Sequence, residues 1–187
     1  MTLLGPYLVA CALLAVAGLG KGLRPSDSVR ALAALVPGAP PSVLRLVVRT
    51  LALAEAGLGV AAVVTPHRLL AGTVALSYLA FAAFVAYVRL RHGVLASCGC
   101  FSTPDTPATW PHVAANLALA AAAAAVSASG SPDTLFTVLA RQPADGLPLI
   151  AACATGTWLA LLTLVGLPRL SAVRRTAAVA VPHGRRR

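Results

Sequence analysis

Two of the four cysteines in the chain are separated by one glycine, in the sequence Ser97-Cys98-Gly99-Cys100-Phe101. Glycine lacks a Cβ atom and adopts backbone angles that other residues avoid, so the two sulfur atoms can converge. A disulfide closed over so short a loop is strained, and strained disulfides are readily reduced and exchanged. The pattern therefore predicts a redox-active pair, and Cys98 and Cys100 are the candidate catalytic residues.

Two other roles stay open for this cysteine pair. Paired thiolates bind Cu(I) or Zn²⁺, but no second cysteine pair accompanies them, and His92 and His112 do not have zinc-finger spacing. We therefore predict no metal site. The pair can also be structural, as a permanent disulfide or as two small apolar residues in a loop. A helix predicted to begin near Pro111 would favour the reactive thiolate if its positive end faced the loop.

Glu55 lies about twelve residues into an apolar segment, which corresponds to about 18 Å of helix. A carboxyl group at that depth in a membrane usually faces the bundle interior or a polar cavity. It can accept protons or form a pocket wall, or it can make a structural contact with Lys21 or Asn116. Asn116 follows His112 by one helical turn near the thiol pair, so Glu55, His112 and Asn116 form the candidate polar pocket.

The segments that must position these residues are strongly apolar. Of the 187 residues, 58% are hydrophobic and 11% are charged, and the mean hydropathy is +0.83. Soluble domains carry about 25% charged residues. The apolar residues occur in long blocks that one water-soluble core of this size cannot bury. The composition therefore predicts a multi-pass integral membrane protein, which we expect in the cell membrane.

Five apolar blocks approach the length needed to cross a hydrocarbon layer about 30 Å thick. They cover residues 3–20, 43–64, 69–88, 111–128 and 147–167. The predicted fold is all-α, a polytopic membrane helical bundle with a four-helix core and a fifth transmembrane helix. The core domain is expected at residues 1–128, a linker at 129–146, and the fifth helix with an Arg-rich tail at 147–187.

The connection between the first two blocks is polar and rich in proline. It predicts a short surface helix over residues 28–36, with Ser26 or Asp27 as its N-cap. In the second block, Gly57 and Gly59 are expected at helix contacts, because small residues let membrane helices approach closely.

The net charge of +10 does not indicate nucleic-acid binding, because the basic residues flank the apolar blocks and fill the tail. Arginines in such positions contact lipid head groups and bias the topology. The positive-inside bias favours an external N-terminus and a cytoplasmic Cys-Gly-Cys loop. One miscounted span would invert this arrangement, so the side of the membrane stays open.

The order of these motifs resembles the methylamine utilisation protein MauE family, within the wider DoxX/DoxD-like group of four-helix membrane proteins. The resemblance covers about residues 3–128. It is carried by Gly18-Leu19-Gly20-Lys21, Glu55-Ala56-Gly57-Leu58-Gly59, the Cys-Gly-Cys-Phe element and Asn116. The family pattern continues with Gly after the Phe and has Arg before the Asn, where this chain has Ser102 and Ala115.

The resemblance implies thiol–disulfide traffic at the membrane, with a family role in maturing methylamine dehydrogenase, a disulfide-rich enzyme, alongside a thioredoxin-like partner. The resulting hypothesis is a membrane thiol–disulfide oxidoreductase that acts through Cys98 and Cys100, with membrane lipid and a thioredoxin-like protein as partners. No cofactor motif is visible in the sequence, and a quinone is the cofactor that could fit between the helices. The alternative is a non-redox transport, binding or assembly subunit that uses Glu55 and Asn116.

Overall fold

The computed structural model describes residues 3–65, 67–92, 109–129, 139–140 and 143–179. Six helices are delimited in this part of the chain. They are α1 (Leu4–Leu23), α2 (Ser26–Leu35), α3 (Pro41–Val64), α4 (Arg68–His92), α5 (Trp110–Ala128) and α6 (Pro143–Val179). All of them except α2 contain a stretch long and apolar enough to cross a membrane. The predicted all-α polytopic bundle with a fifth long helix is therefore confirmed.

The sixth helix departs most from the sequence prediction. It begins at Pro143, inside the predicted linker, and continues to Val179, past Pro168 and into the Arg-rich tail. The predicted limits of this helix, residues 147 and 167, are the positions where the hydropathy of the sequence falls. A fall in hydropathy indicates a membrane boundary, whereas arginine is a good helix former and lets a helix continue beyond that boundary.

The short helix α2 begins earlier than predicted, at Ser26, and its N-cap position is Pro25 without a side-chain hydrogen bond. The predicted capping role of Ser26 or Asp27 is therefore wrong. Asp27 instead lies in the first turn and pairs with Arg30 one turn later. A carboxylate in the first turn is favoured there by the positive end of the helix dipole.

The close packing of α1 against α3 depends on one glycine from each helix. A Cβ atom added to Gly18 would lie 2.6 Å from the Ala52 carbonyl oxygen of α3. A Cβ atom added to Gly59 would lie 2.6 Å from the Cys11 carbonyl oxygen of α1. The backbones therefore touch at both positions. Gly57, also expected at a contact, has open space at its Cβ position, so that part of the prediction is wrong.

Helix α1 is the central element, because it packs against α3, α5 and α6 and also touches α4. Tyrosine hydroxyls reinforce two of these contacts. Tyr78 of α4 donates to the Ala10 carbonyl oxygen at 2.6 Å, and Tyr7 of α1 donates to the Ala62 carbonyl oxygen of α3 at 3.4 Å. Both rings are buried in the same apolar cluster. The hydroxyls thus fix the relative positions of three helices.

Replacing Tyr78 with phenylalanine is expected to destabilise the bundle by about 1 kcal/mol, because the hydrogen bond between helices is lost while the ring is kept. The free energy of unfolding in mixed micelles would measure this loss. Tyr87→Phe is the matched control, because Tyr87 is in the same helix and is 50% exposed. Equal stability of the two variants would contradict the assigned role of the Tyr78 hydroxyl.

Consecutive long helices alternate in direction, so the last residues of α1 and α4 and the first residues of α3 and α5 share one end of the bundle. Helix α2 packs on α3 at this end. We refer to it as the α2 end. The side chain of Arg89, near the last turn of α4, lies over the ring of Trp110 in α5, with 5.5 Å between the guanidinium carbon and the ring centroid. The segment that joins α4 to α5 therefore starts and finishes at the α2 end.

Candidate functional site

A buried ion pair links α1 and α3 near the α2 end. Lys21 Nζ lies 2.6 Å from Glu55 Oε2, and the two side chains are only 11% and 12% exposed. Lys21 follows Gly18 by one helical turn, and Glu55 precedes Gly59 by one turn. The close approach at the two glycines therefore brings the two charged side chains within contact distance of each other.

The sequence left Lys21 and Asn116 as the two possible structural partners of Glu55. In the structure, Lys21 makes the contact. The ammonium group also lies over the ring of Phe81 in α4, 4.4 Å from its centroid. A charge inside an apolar bundle is costly unless an opposite charge and hydrogen bonds compensate it. The carboxylate and the negative face of the ring together supply that compensation for Lys21.

A cavity of about 350 Å³ lies beside the ion pair, between α2, α3 and α4. Its polar lining comes from Lys21, Glu55 and Ser28. The rest is apolar and includes Ala31 and Leu32 of α2, Val48 and Leu51 of α3, and Ala80, Phe81 and Phe84 of α4. Helix α2, predicted only as a surface helix, thus covers a cavity with its inner face.

A second, smaller cavity of about 30 Å³ lies on the other side of Lys21. Its lining includes Tyr78, Phe81, His112 and Asn116. This volume is large enough for a water molecule, and the polar groups around it suit one. Because Lys21 and Phe81 line both cavities, they form the wall between the two spaces.

His112 and Asn116 lie one turn apart on the same face of α5, as the sequence predicts. His112 is buried, and its Nδ1 atom lies 2.7 Å from Thr109 Oγ1. Asn116 Nδ2 donates to the His112 carbonyl oxygen at 2.8 Å, so its amide bonds within its own helix. Glu55 lines the larger cavity and these two residues line the smaller one, so the three candidate pocket residues lie on opposite sides of Lys21.

Cys98 and Cys100 lie outside the described residues. They belong to the segment between His92 and Thr109, whose two flanking helices meet through Arg89 and Trp110. The other two cysteines lie in apolar helices: Cys11 is buried, and the Cys153 thiol contacts the Gly5 carbonyl oxygen at 3.8 Å. In the part of the chain that the structure describes, no three His, Cys, Asp or Glu side chains converge.

The sequence reasoning missed the central position of Lys21 and the contributions of Phe81, Phe84 and Ser28. The sequence indicated Lys21 only as one of two possible partners of Glu55 and not as a residue between two cavities. The available signal was its spacing of one turn from Gly18, which places both residues on the face that α3 contacts. No comparable pattern marked the two phenylalanines in an apolar helix.

Five long apolar helices, two of which are joined by a buried ion pair, define a multi-pass helical membrane protein. A family model described as methylamine utilisation protein MauE matches residues 1–129, and the chain belongs to this family. The match ends where α5 ends, so α6 lies beyond the shared region. Comparison with curated proteins and with solved structures gives no match.

Proposed function

We propose that this MauE-family protein is a thiol–disulfide relay of the cell membrane that acts through Cys98 and Cys100 on a thioredoxin-like partner. The observation that supports this most is the position of the Cys-Gly-Cys sequence in the segment that joins α4 to α5. Both ends of that segment lie at the α2 end, beside the ion pair and the two cavities. The description of the family associates such proteins with methylamine utilisation.

In the proposed exchange, the Cys98–Cys100 disulfide is the oxidant of the partner's dithiol. A thiolate of the reduced partner attacks one sulfur of the Cys98–Cys100 disulfide, and the S–S bond opens to a mixed disulfide and a free thiolate. The second partner thiol then attacks the mixed disulfide, which leaves both cysteines reduced and the partner oxidised. Two electrons and two protons pass to the membrane protein. Arg89 and Arg91 in the last turn of α4 supply positive charge, which favours thiolates in this region.

Thiol labelling tests the proposal directly. In a Cys11→Ala/Cys153→Ala background, only the Cys-Gly-Cys thiols remain for a maleimide mass tag. We expect no added mass before reduction and two tags after incubation with a reduced thioredoxin-like protein. One of the variants Cys98→Ser and Cys100→Ser should accumulate a mixed disulfide with the partner. The relay would be contradicted if Cys98 and Cys100 stay reduced and if neither single variant forms a mixed disulfide with the partner.

The second candidate is a non-redox binding, transport or assembly subunit, and the Lys21–Glu55 pair between two cavities favours it. The two functions differ in which residues are needed. In a deletion strain complemented with variants, the relay requires both cysteines. Full complementation by Cys98→Ser/Cys100→Ser, with loss of complementation by a Glu55→Gln variant that reaches the parental level in the membrane, would favour the second candidate.

A further inference from the structure

The larger cavity combines a mostly apolar wall with one charged hydrogen-bond donor. Its volume of about 350 Å³ falls at the lower end of the range of about 300–1,000 Å³ found for small-molecule sites. Phe81 and Phe84 are three residues apart on α4 and so present two rings from one helix face. Leu51 lines the cavity and is 54% exposed, so the cavity reaches the outer surface of the bundle there.

The ion pair restricts the chemistry of an occupant. The Lys21 ammonium has three N–H donors. It donates one hydrogen bond to Glu55 and lies over Phe81, and no other acceptor contacts it in the described residues. The pair is neutral as a whole. A carboxylate would compete with Glu55 for Lys21, and an amine would compete with Lys21 for Glu55. A neutral molecule that brings a hydrogen-bond acceptor leaves the pair intact.

We propose that this cavity binds the ring of a membrane quinone, with Lys21 Nζ donating to one quinone carbonyl oxygen. A flat aromatic ring suits contacts with Phe81 and Phe84. The apolar tail of the quinone leaves the bundle past Leu51 and lies among the lipids. The ammonium group serves as a binding and orienting group, because a charged donor strengthens the hydrogen bond to a carbonyl oxygen in an apolar site.

The redox use of this site rests on the proposed function, whereas the binding itself does not. If the relay operates, reduced Cys98 and Cys100 transfer two electrons and two protons to the quinone. Two S–H bonds break, one S–S bond forms, and the quinone becomes a hydroquinone. Phe84 lies eight residues before the last residue of α4, about 12 Å of helix. The cavity thus lies toward the end of the bundle where α4 finishes and α5 begins.

Binding can be measured without the thiols. We would purify the Cys98→Ser/Cys100→Ser variant in nanodiscs and measure binding of a short-tailed benzoquinone by equilibrium dialysis. Saturable binding with one site per chain is expected. Phe84→Leu and Lys21→Met should weaken it about tenfold or more, the loss expected for one good contact to a ring or a charged donor. Arg45→Met, at an exposed position of α3, should bind as the parent does.

Two variants separate a loss of quinone binding from a loss of folding. Thermal unfolding is measured for every variant, and Phe84→Leu keeps an apolar side chain, so it tests the site even if Lys21→Met does not fold. Any of three results would overturn the inference. These are the absence of saturable quinone binding, bound quinone that only oleate displaces, and an unchanged quinone affinity in a folded Phe84→Leu variant. If quinone binds but the wild-type thiols never exchange, the relay fails and the site stands. If the thiols exchange but quinone does not bind, the site fails and the relay stands.

Discussion

Alanine at Gly18 or Gly59 is expected to destabilise the bundle by about 1–3 kcal/mol, the usual cost of forcing an extra methyl group into a packed interior. The added Cβ atom of Gly18→Ala would lie 2.5 Å from the Ala56 backbone nitrogen, and that of Gly59→Ala would lie 2.7 Å from the Ala15 backbone nitrogen. These atoms belong to helix backbones, so relief requires α1 and α3 to separate. The free energy of unfolding in mixed micelles measures the loss.

Two other glycines of the same helices provide matched controls. Gly57→Ala places its methyl group in open space, and Gly22→Ala would approach only the Ala52 side chain, at 3.9 Å. Alanine has the higher helix propensity, so both controls should be neutral or slightly more stable. If Gly18→Ala and Gly59→Ala unfold no more readily than Gly57→Ala, the backbones do not touch as described.

The two glycines of α3 show how far the sequence could predict this contact. Small residues in an apolar segment indicate close packing, and that part of the prediction is confirmed at Gly59. Residues two apart point in directions about 200° apart on a helix of 3.6 residues per turn, so Gly57 and Gly59 cannot share one face. The choice between them depends on how α3 is rotated against α1. Rotation is a property of the packed pair, and one sequence does not contain it.

The number and type of the long helices were predictable, because they depend on the local sequence and not on how the helices pack. Crossing a membrane requires a long apolar run, and such runs are local features of the chain. The partner of Glu55 was not predictable to the same degree, because Lys21 and Asn116 were both plausible until the register of α1 against α3 was known. The cavity beside Phe84 could not be predicted at all, since residues from four helices, α1 to α4, form its wall.

The largest single effect is expected at the ion pair, because removing one partner leaves the other charge buried without compensation. Glu55→Gln leaves the Lys21 ammonium, and Lys21→Met leaves the Glu55 carboxylate. Each change is expected to cost about 3–5 kcal/mol, as for other buried pairs. The Lys21→Met/Glu55→Gln double variant contains no buried charge at this position, so it should be far more stable than the sum of the two single losses predicts.

The pair of Asp27 and Arg30 in α2 serves as the control for this double-mutant cycle. The Asp27 side chain is only 6% exposed, but that of Arg30 is 71% exposed, so water screens the interaction and the pair should contribute about 0–1 kcal/mol. Asp27→Asn and Arg30→Gln should therefore show a coupling energy below about 1 kcal/mol, whereas the Lys21–Glu55 coupling should exceed about 2 kcal/mol. Strict additivity at Lys21 and Glu55 would mean that the two charges do not interact. The ion pair could then not be the fixed, neutral wall that the larger cavity requires.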